Sequence, residues 1–211
     1  MQIERKVLGP IGTNVYLVWN SETKKCVVID PADDAEKIAA WIRSRGLTPE
    51  AVLLTHGHFD HCMAAEETRD LLGVKLYALD QEQAFLLDPY YNGDARFYRR
   101  NLSVHPDEFL HDHQTVEFIG EEWTVLWTPG HTPGSCCFYI PKQKTLFSGD
   151  TLFQGSCGRT DFPGGSWDQM AASLKRLYEL DGDYLVLSGH TGSTTLDRER
   201  KTNMFMRSAL S

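Results

Sequence analysis

The sequence predicts an α/β fold: two mixed sheets packed face to face with helices outside, a four-layer αββα sandwich. Three observations point there. Short β-rich runs alternate with amphipathic helical stretches in both halves of the chain. Antiparallel hairpin signals mark the edges of each half. No Pro/Gly/Ser-rich linker divides the 211 residues, so one domain over 1–211 is expected. With 41% hydrophobic residues, such a chain buries roughly 70% of its extended surface without metal or disulfide staples. Any metal cluster would then serve chemistry rather than folding.

Asn14 to Trp19 and Cys26 to Ile29 read as a hairpin about Ser21-Glu22-Thr23-Lys24. Asp33, with Glu36 three residues on, reads as the cap of a helix whose apolar face is Ala35, Ile38, Ala39 and Ile42, stopping at Gly46. Ala51 to Leu54 is apolar without alternation and suits a strand covered on both faces. A helix over Cys62 to Leu72 is expected to stop at Gly73, before a strand at Lys75 to Leu79. Gln81 to Leu87 has helical character, whereas 88–113 is polar, aromatic-rich and aperiodic. It is expected to be a long surface excursion of the kind that borders binding sites. Val116 to Ile119 pairs with Glu122 to Trp127, and Cys136 to Ile140 with Thr145 to Phe147. Ser166, with Gln169 three residues on, caps the clearest helix, which buries Trp167, Met170, Leu174, Leu177 and Tyr178. Tyr184 to Leu187 is the last strand, and Thr194 with Asp197 caps a terminal helix through Ser208.

Charge narrows the function. The chain has 21 basic and 29 acidic residues, a formal net charge of -8. That disfavours a nucleic-acid backbone or an anionic membrane surface as partner. No apolar run approaches the roughly 18 residues that span a bilayer, and Met1-Gln2-Ile3-Glu4-Arg5-Lys6 lacks the apolar stretch of a secretory signal. Five cysteines (Cys26, Cys62, Cys136, Cys137 and Cys157) leave at least one unpaired, which fits reduced thiols in the cytoplasm.

Five of the eight histidines fall where a strand gives way to loop. His56, His58 and His61, with Asp60 among them, follow the strand at 51–54; His131 follows 122–127 and His190 follows 184–187. Asp150 follows the strand at 145–147. Imidazoles and carboxylates suit zinc, iron or manganese, and the absence of cysteine argues against a closed thiolate site. His56 and His58, two apart, would point the same way on extended backbone, whereas the adjacent Asp60 and His61 would diverge. One short turn could thus feed two neighbouring metals, and seven N/O ligands exceed the needs of one tetrahedral zinc. Taken singly, His105, His111 and His113 read as ordinary surface residues.

Thr55-His56-Gly57-His58-Phe59-Asp60-His61 resembles the T-H-x-H-x-D-H signature of the metallo-β-lactamase superfamily. Thr128-Pro129-Gly130-His131, Ser148-Gly149-Asp150-Thr151 and Ser188-Gly189-His190 resemble its later motifs, in order. The resemblance implies the αββα fold and two divalent ions, zinc first among them, with iron and manganese accepting the same ligands. It implies His56, His58 and His131 on the first ion, Asp60, His61 and His190 on the second, and Asp150 bridging. A carboxylate at the bridging position, with Ser156-Cys157-Gly158-Arg159 beyond it, resembles the glyoxalase II-like thioesterases in their short form. The implied reaction is metal-hydroxide attack on S-(2-hydroxyacyl)glutathiones such as S-D-lactoylglutathione. Asp60 would be the catalytic carboxylate orienting the nucleophile, and Arg159 would grip the glutathione.

The resemblance also limits the reading. Only 21 residues follow His190, too few for the helical region with which longer glyoxalase II enzymes grip glutathione. Asp161 stands where those enzymes use a tyrosine, so Arg159 could instead serve a structural ion pair with it. Gly158-Arg159-Thr160-Asp161-Phe162 also resembles the persulfide dioxygenases of the superfamily, which use one iron at the positions of His56, His131 and Asp150. Lactone, β-lactam or phosphoester hydrolysis follows as a further alternative, then a non-catalytic metal-binding partner protein. The expected partner is a small thioester; a homo-oligomer is left open. Tyr90, Tyr91, Phe97 and Tyr98 could wall a pocket or pack a covering loop. Thr55, Thr132, Ser148, Ser188 and Thr191 stand close enough in sequence to orient ligands or cap loop backbone.

Overall fold

A computed structural model describes residues 1–210. The first half builds a six-stranded sheet from β1 (Gln2–Leu8), β2 (Thr13–Trp19), β3 (Lys25–Ile29), β4 (Thr48–Leu53), β5 (Lys75–Leu79) and β6 (Glu108–Leu110), in that spatial order. The first two pairings are antiparallel, and β3 through β6 run parallel. The second half builds another from β7 (Thr115–Phe118), β8 (Glu121–Trp127), β9 (Cys136–Ile140) and β10 (Thr145–Gly149), with β13 (Leu185–Ser188) and β14 (Thr194–Thr195) beyond β10. A small hairpin, β11 (Leu152–Phe153) with β12 (Ser156–Cys157), lies between them in sequence.

Helices α1 (Ala35–Ser44) and α3 (Ala65–Leu72) cover the outside of the first sheet, burying Ile38, Trp41 and Ile42 against Leu17, Val28 and Val52. Helix α6 (Trp167–Tyr178) covers the second sheet with Met170, Leu174 and Leu177, joined by α7 (Leu196–Thr202) and α8 (Met204–Ser208). Between the sheets, Tyr16, Val18, Val27 and Ile29 face Trp123, Val125, Phe138 and Phe147. The four layers follow from alternation: one face of each sheet meets the other sheet, and the opposite face meets helices.

The layers are also stitched where the strands end. Asn14 Nδ2 and Tyr16 Oη, both on β2, donate to the Ser188 carbonyl at 2.8 and 2.7 Å. The Cys136 N–H donates to the Thr55 carbonyl at 2.8 Å. Buried and satisfied, these bonds fix one edge of the sandwich as a common rim.

Several local expectations need correction. Asp34, not Asp33, caps α1: its own φ is 55° and its carboxylate accepts from Lys37 N–H. The expected helix over Cys62 to Leu72 is two pieces, α2 (Phe59–Cys62) and α3, because the Ala64 N–H bonds Pro31 O instead of continuing the helical ladder. Gly73 does terminate α3, in the left-handed region that glycine favours. The terminal helix begins after Thr195, whose hydroxyl accepts from Arg198 N–H, and is interrupted by Asn203, whose side chain caps α8. The 88–113 excursion is more structured than expected. After α4 (Gln83–Leu87), it contains α5 (Asp94–Phe97), and its end supplies β6, which pairs parallel to β5.

All five cysteines are free, and burial pushes their thiols up, to about 12 for Cys26 and about 11 for Cys137 and Cys157. Among the described residues no helix is long and apolar enough to cross a membrane.

Trp123 is the largest fully buried side chain, stacked on Phe147 with ring centroids 5.7 Å apart. Trp123→Ala should cost about 3–5 kcal/mol in urea unfolding, and a loss below about 1 kcal/mol would contradict an inter-sheet core built around that ring.

Candidate metal centre

The common rim gathers the histidines and aspartates. His56 and His58 leave β4 on extended backbone, and Asp60 and His61 follow within the single turn of α2. His131 stands beyond β8, Asp150 beyond β10 and His190 beyond β13. All are buried except His190, whose side chain is 21% exposed. Their ligand atoms form three groups, each within 4.8 Å: His56, His58 and His131; His56, His61 and Asp150; Asp60, His61 and His190. Thus Asp60 and His61 do not diverge as expected, because the helical turn brings both side chains to one side, with His61 Nε2 3.6 Å from Asp60 Oδ2. Asp150 stands between the histidine groups: Oδ1 lies 3.4 Å from His61 Nε2, and Oδ2 lies 3.5 Å from both His131 Nε2 and His190 Nε2.

Hydrogen bonds behind the rings decide which nitrogen faces inward. His56 Nδ1 donates to Thr55 Oγ1 at 3.1 Å, and that hydroxyl donates to Asp30 Oδ2 at 2.7 Å. His61 Nδ1 donates to the same Asp30 oxygen at 2.9 Å, while Asp30 Oδ1 accepts the Thr55 N–H. His131 Nδ1 donates to the Arg159 carbonyl at 2.8 Å, and its Nε2 faces His58 Nδ1 across 2.8 Å. Asp60 Oδ2 accepts from Thr13 Oγ1 at 3.0 Å and lies 3.3 Å from His190 Nε2. This is how ligating imidazoles are oriented in metal proteins.

The electrostatics split the cluster. Burial, then the neighbouring imidazoles, hold His56 and His58 well below the ordinary histidine range, and burial lowers His131. These rings present neutral nitrogen. His61 is opposite: burial works against its charge, but Asp150, Asp60 and Asp30 outweigh it and raise the ring to about 10. His190 is also raised against burial, by Asp60 and Asp150. Burial likewise opposes ionisation of Asp60, yet His61 and His190 hold its carboxyl well below the usual range. The carboxylates thus favour positive charge at this side of the cluster.

The cluster suits cations better than it suits itself. His56 Nε2, His58 Nε2 and Asp150 Oδ1 are buried without a hydrogen-bond partner. Buried polar atoms are rarely left so, and an ion bound among them is one explanation. A donor set of imidazoles and carboxylates accepts zinc, iron or manganese.

Sequence reasoning missed three supporting residues. Asp30 ends β3 as Asp150 ends β10, a signal obscured by the helix cap that follows it closely. Thr13 gave no signal. Glu82 is buried, and its carboxyl oxygens accept the Gly57 N–H at 2.7 Å and the Gly134 N–H at 2.6 Å, tying the His56–His58 segment to the loop after His131. A side chain at Gly134 would run into the Glu82 backbone, so only glycine permits the approach. Burial pushes the Glu82 carboxyl up to about 7, against hydrogen bonds from Thr132, Gly57 and Gly134.

The remaining candidates divide. Thr55 orients a ligand, and Ser188 donates to the His190 carbonyl. Ser148 and Thr132 instead bond loop groups, at Leu152 O and Ser135 Oγ, while the Thr191 carbonyl accepts from Arg5 and Asn14. His105, His111 and His113 make surface contacts with Glu66, Asp80 and Arg176. Arg159 is bound through two 2.7 Å hydrogen bonds to Asp161. A cavity of about 530 Å³ opens over the cluster, walled by Tyr90, Tyr91 and Phe97 of the excursion and by Phe153 and Phe162 opposite. Tyr98 instead packs on Phe59.

A family model described as the metallo-beta-lactamase superfamily matches residues 8–190. The hydroxyacylglutathione hydrolase GloC of Haemophilus influenzae is 34% identical over 211 residues, covering 99% of each chain. Among solved structures, the BLEG-1 B3 metallo-beta-lactamase superposes with a TM-score of 0.91 at 38% identity, covering 97% of this chain and 99% of that one. TTHA1623 in a di-iron-bound form gives 0.84 at 37% identity, covering 96% and 99%.

Glu82 gives the site a pH dependence with a definite sign. Its folded carboxyl, at about 7, binds a proton more tightly than the ordinary value of 4.5 allows in the unfolded chain. The stability it contributes is therefore complete below that lower value and is lost as pH rises through the folded one. In metal-free protein, urea unfolding should show wild type losing stability relative to Glu82→Gln between about pH 4.5 and about pH 7. Parallel profiles would contradict the assignment.

Proposed function

The chain belongs to the metallo-beta-lactamase superfamily, and from that premise we propose a metal-dependent thioesterase acting on S-(2-hydroxyacyl)glutathiones such as S-D-lactoylglutathione. The observation that carries the reading is Asp150, whose Oδ2 lies 3.5 Å from both His131 Nε2 of one histidine group and His190 Nε2 of the other, with Oδ1 toward His61. A carboxylate so placed suits two cations rather than one. In this reading His56, His58 and His131 would hold one ion and Asp60, His61 and His190 the other, with Asp150 available to both. Similarity to GloC along the full chain supports the substrate class, and free buried thiols suit a reducing cytoplasm.

Two bound divalent ions, zinc or iron, would acidify a water and polarise the carbonyl. The chain's own residues do the rest. Thr13 donates to Asp60 Oδ2 and fixes the carboxylate that orients the attacking water. Asp30, through Thr55 and directly, holds the rings of His56 and His61. Tyr90, Tyr91 and Phe97 give the cavity an apolar wall against which an acyl group can pack. Arg159 stands at the edge of the cavity with its guanidinium paired to Asp161. Burial pushes the thiols of Cys136 and Cys157 up, which makes them poor nucleophiles. A second reading, β-lactam hydrolysis, is favoured by the likeness to BLEG-1.

Metal-loaded protein is expected to release thiol from S-D-lactoylglutathione, and chelation should abolish this. Oxygen uptake with glutathione persulfide, or β-lactam opening, without thiol release would overturn the proposal.

Asp60→Ala should lower kcat by about 100-fold or more with the fold intact by circular dichroism. Unchanged turnover would mean that some other group orients the nucleophile.

A further inference from the structure

The mouth of the cavity carries a charge arrangement that the thioesterase reading leaves unused. Arg96, on α5, lines the cavity and is exposed. Its guanidinium lies 5.5 Å from the ring centroids of both Phe97 and Phe162. On the same Phe162 ring, Arg159 sits at 3.8 Å. Phe162 in turn lies edge-on to His58, with centroids 6.0 Å apart. One aromatic ring thus separates two arginines from the candidate metal centre.

The arginines differ in what satisfies them. Arg159 gives both hydrogen bonds to Asp161, whose carboxyl is thereby held down at about 2. Arg96 forms no ion pair among the described residues, although Asp161 also feels its charge. Two guanidiniums against one carboxylate leave one positive charge in surplus, on a chain of net charge -8.

The backbone that carries Arg96 is also held in place. Asn92 and Asp94 fold its loop on itself: Asn92 Nδ2 donates to Leu102 O, and Leu102 N–H donates to Asp94 Oδ2. The Phe59 N–H donates to Asn92 O at 2.9 Å, and Phe59 stacks on Phe97 at 5.5 Å. The loop is therefore fastened to the helix that carries Asp60 and His61. Such preorganisation lowers the entropic cost of gripping a ligand.

We propose that Arg96 binds the anionic far end of the substrate's thiol portion, and that Asp161 is the internal counter-ion keeping Arg159 from that task. The inference rests on the thioesterase reading for the position of the reacting carbonyl. The shared chemistry is an exposed anion recognised by a guanidinium, whether a peptide carboxylate or a phosphate.

The experiment measures binding as well as turnover. Calorimetry on the metal-loaded chain would use S-methylglutathione for the carboxylate and S-methyl-coenzyme A for the phosphate. Arg96→Ala should weaken one of these about ten-fold, the loss of one charge-assisted contact, with partial rescue in Arg96→Lys. The ligand that weakens identifies the anion. Asp161→Asn should tighten the same ligand by releasing Arg159. In turnover, Arg96→Ala should erode the preference for S-D-lactoylglutathione over the uncharged N-acetylcysteamine thioester by a similar factor. Unaltered affinity for both ligands in Arg96→Ala, or no binding of either by wild type, would overturn the proposal. No gain in Asp161→Asn would overturn the counter-ion role. Arg96-dependent binding without thioester hydrolysis would leave the anion site standing and end the thioesterase reading.

Discussion

The whole arrangement depends on crowding seven nitrogen and oxygen donors into one buried pocket. Neutral imidazoles pointing lone pairs at one another, beside two carboxyl groups, form a poor protein interior by themselves. His56 Nε2, His58 Nε2 and Asp150 Oδ1 lack partners there. Positive charge must come from somewhere. The carboxylates of Asp60 and Asp150 push His61 and His190 toward the charged form against burial. Two divalent ions would satisfy the same atoms more completely, and much of the fold serves to hold those atoms still.

That holding is done from both sheets. Asp30 ends a strand of the first sheet and orients two rings, while the carbonyl of Arg159, beyond the separate β11–β12 hairpin, orients a third. Glu82 bonds the loop after β4 to the loop after β8. Asn14 and Tyr16 reach across to Ser188, two residues before His190. A displaced strand on either side would therefore be felt at the ligands, which is why a site built from distant loops needs a rigid sandwich beneath it.

Residue type and local period made much of this legible in the sequence. The strands Lys75–Leu79 and Cys136–Ile140 have the bounds their composition implies, Ser166 caps α6, and the strand-end histidines and aspartates do converge. What escaped was set by tertiary contact. Glu4, Arg5 and Lys6 disguise β1, which is an exposed edge strand. The break at Ala64 is made by Pro31, more than thirty residues earlier. Glu82 reveals its role only through Gly57 and Gly134, neither of them near it in sequence. Arg96 lay in a stretch without periodicity, whereas the pairing of Arg159 with Asp161 was one of the two readings their spacing offered.

Anomalous diffraction from crystals grown with zinc or iron tests the central claim most directly. Two peaks are expected: one among His56, His58 and His131, one among Asp60, His61 and His190, with Asp150 touching both. A single ion, or ions bound with Asp150 turned away, would contradict the two-cation centre.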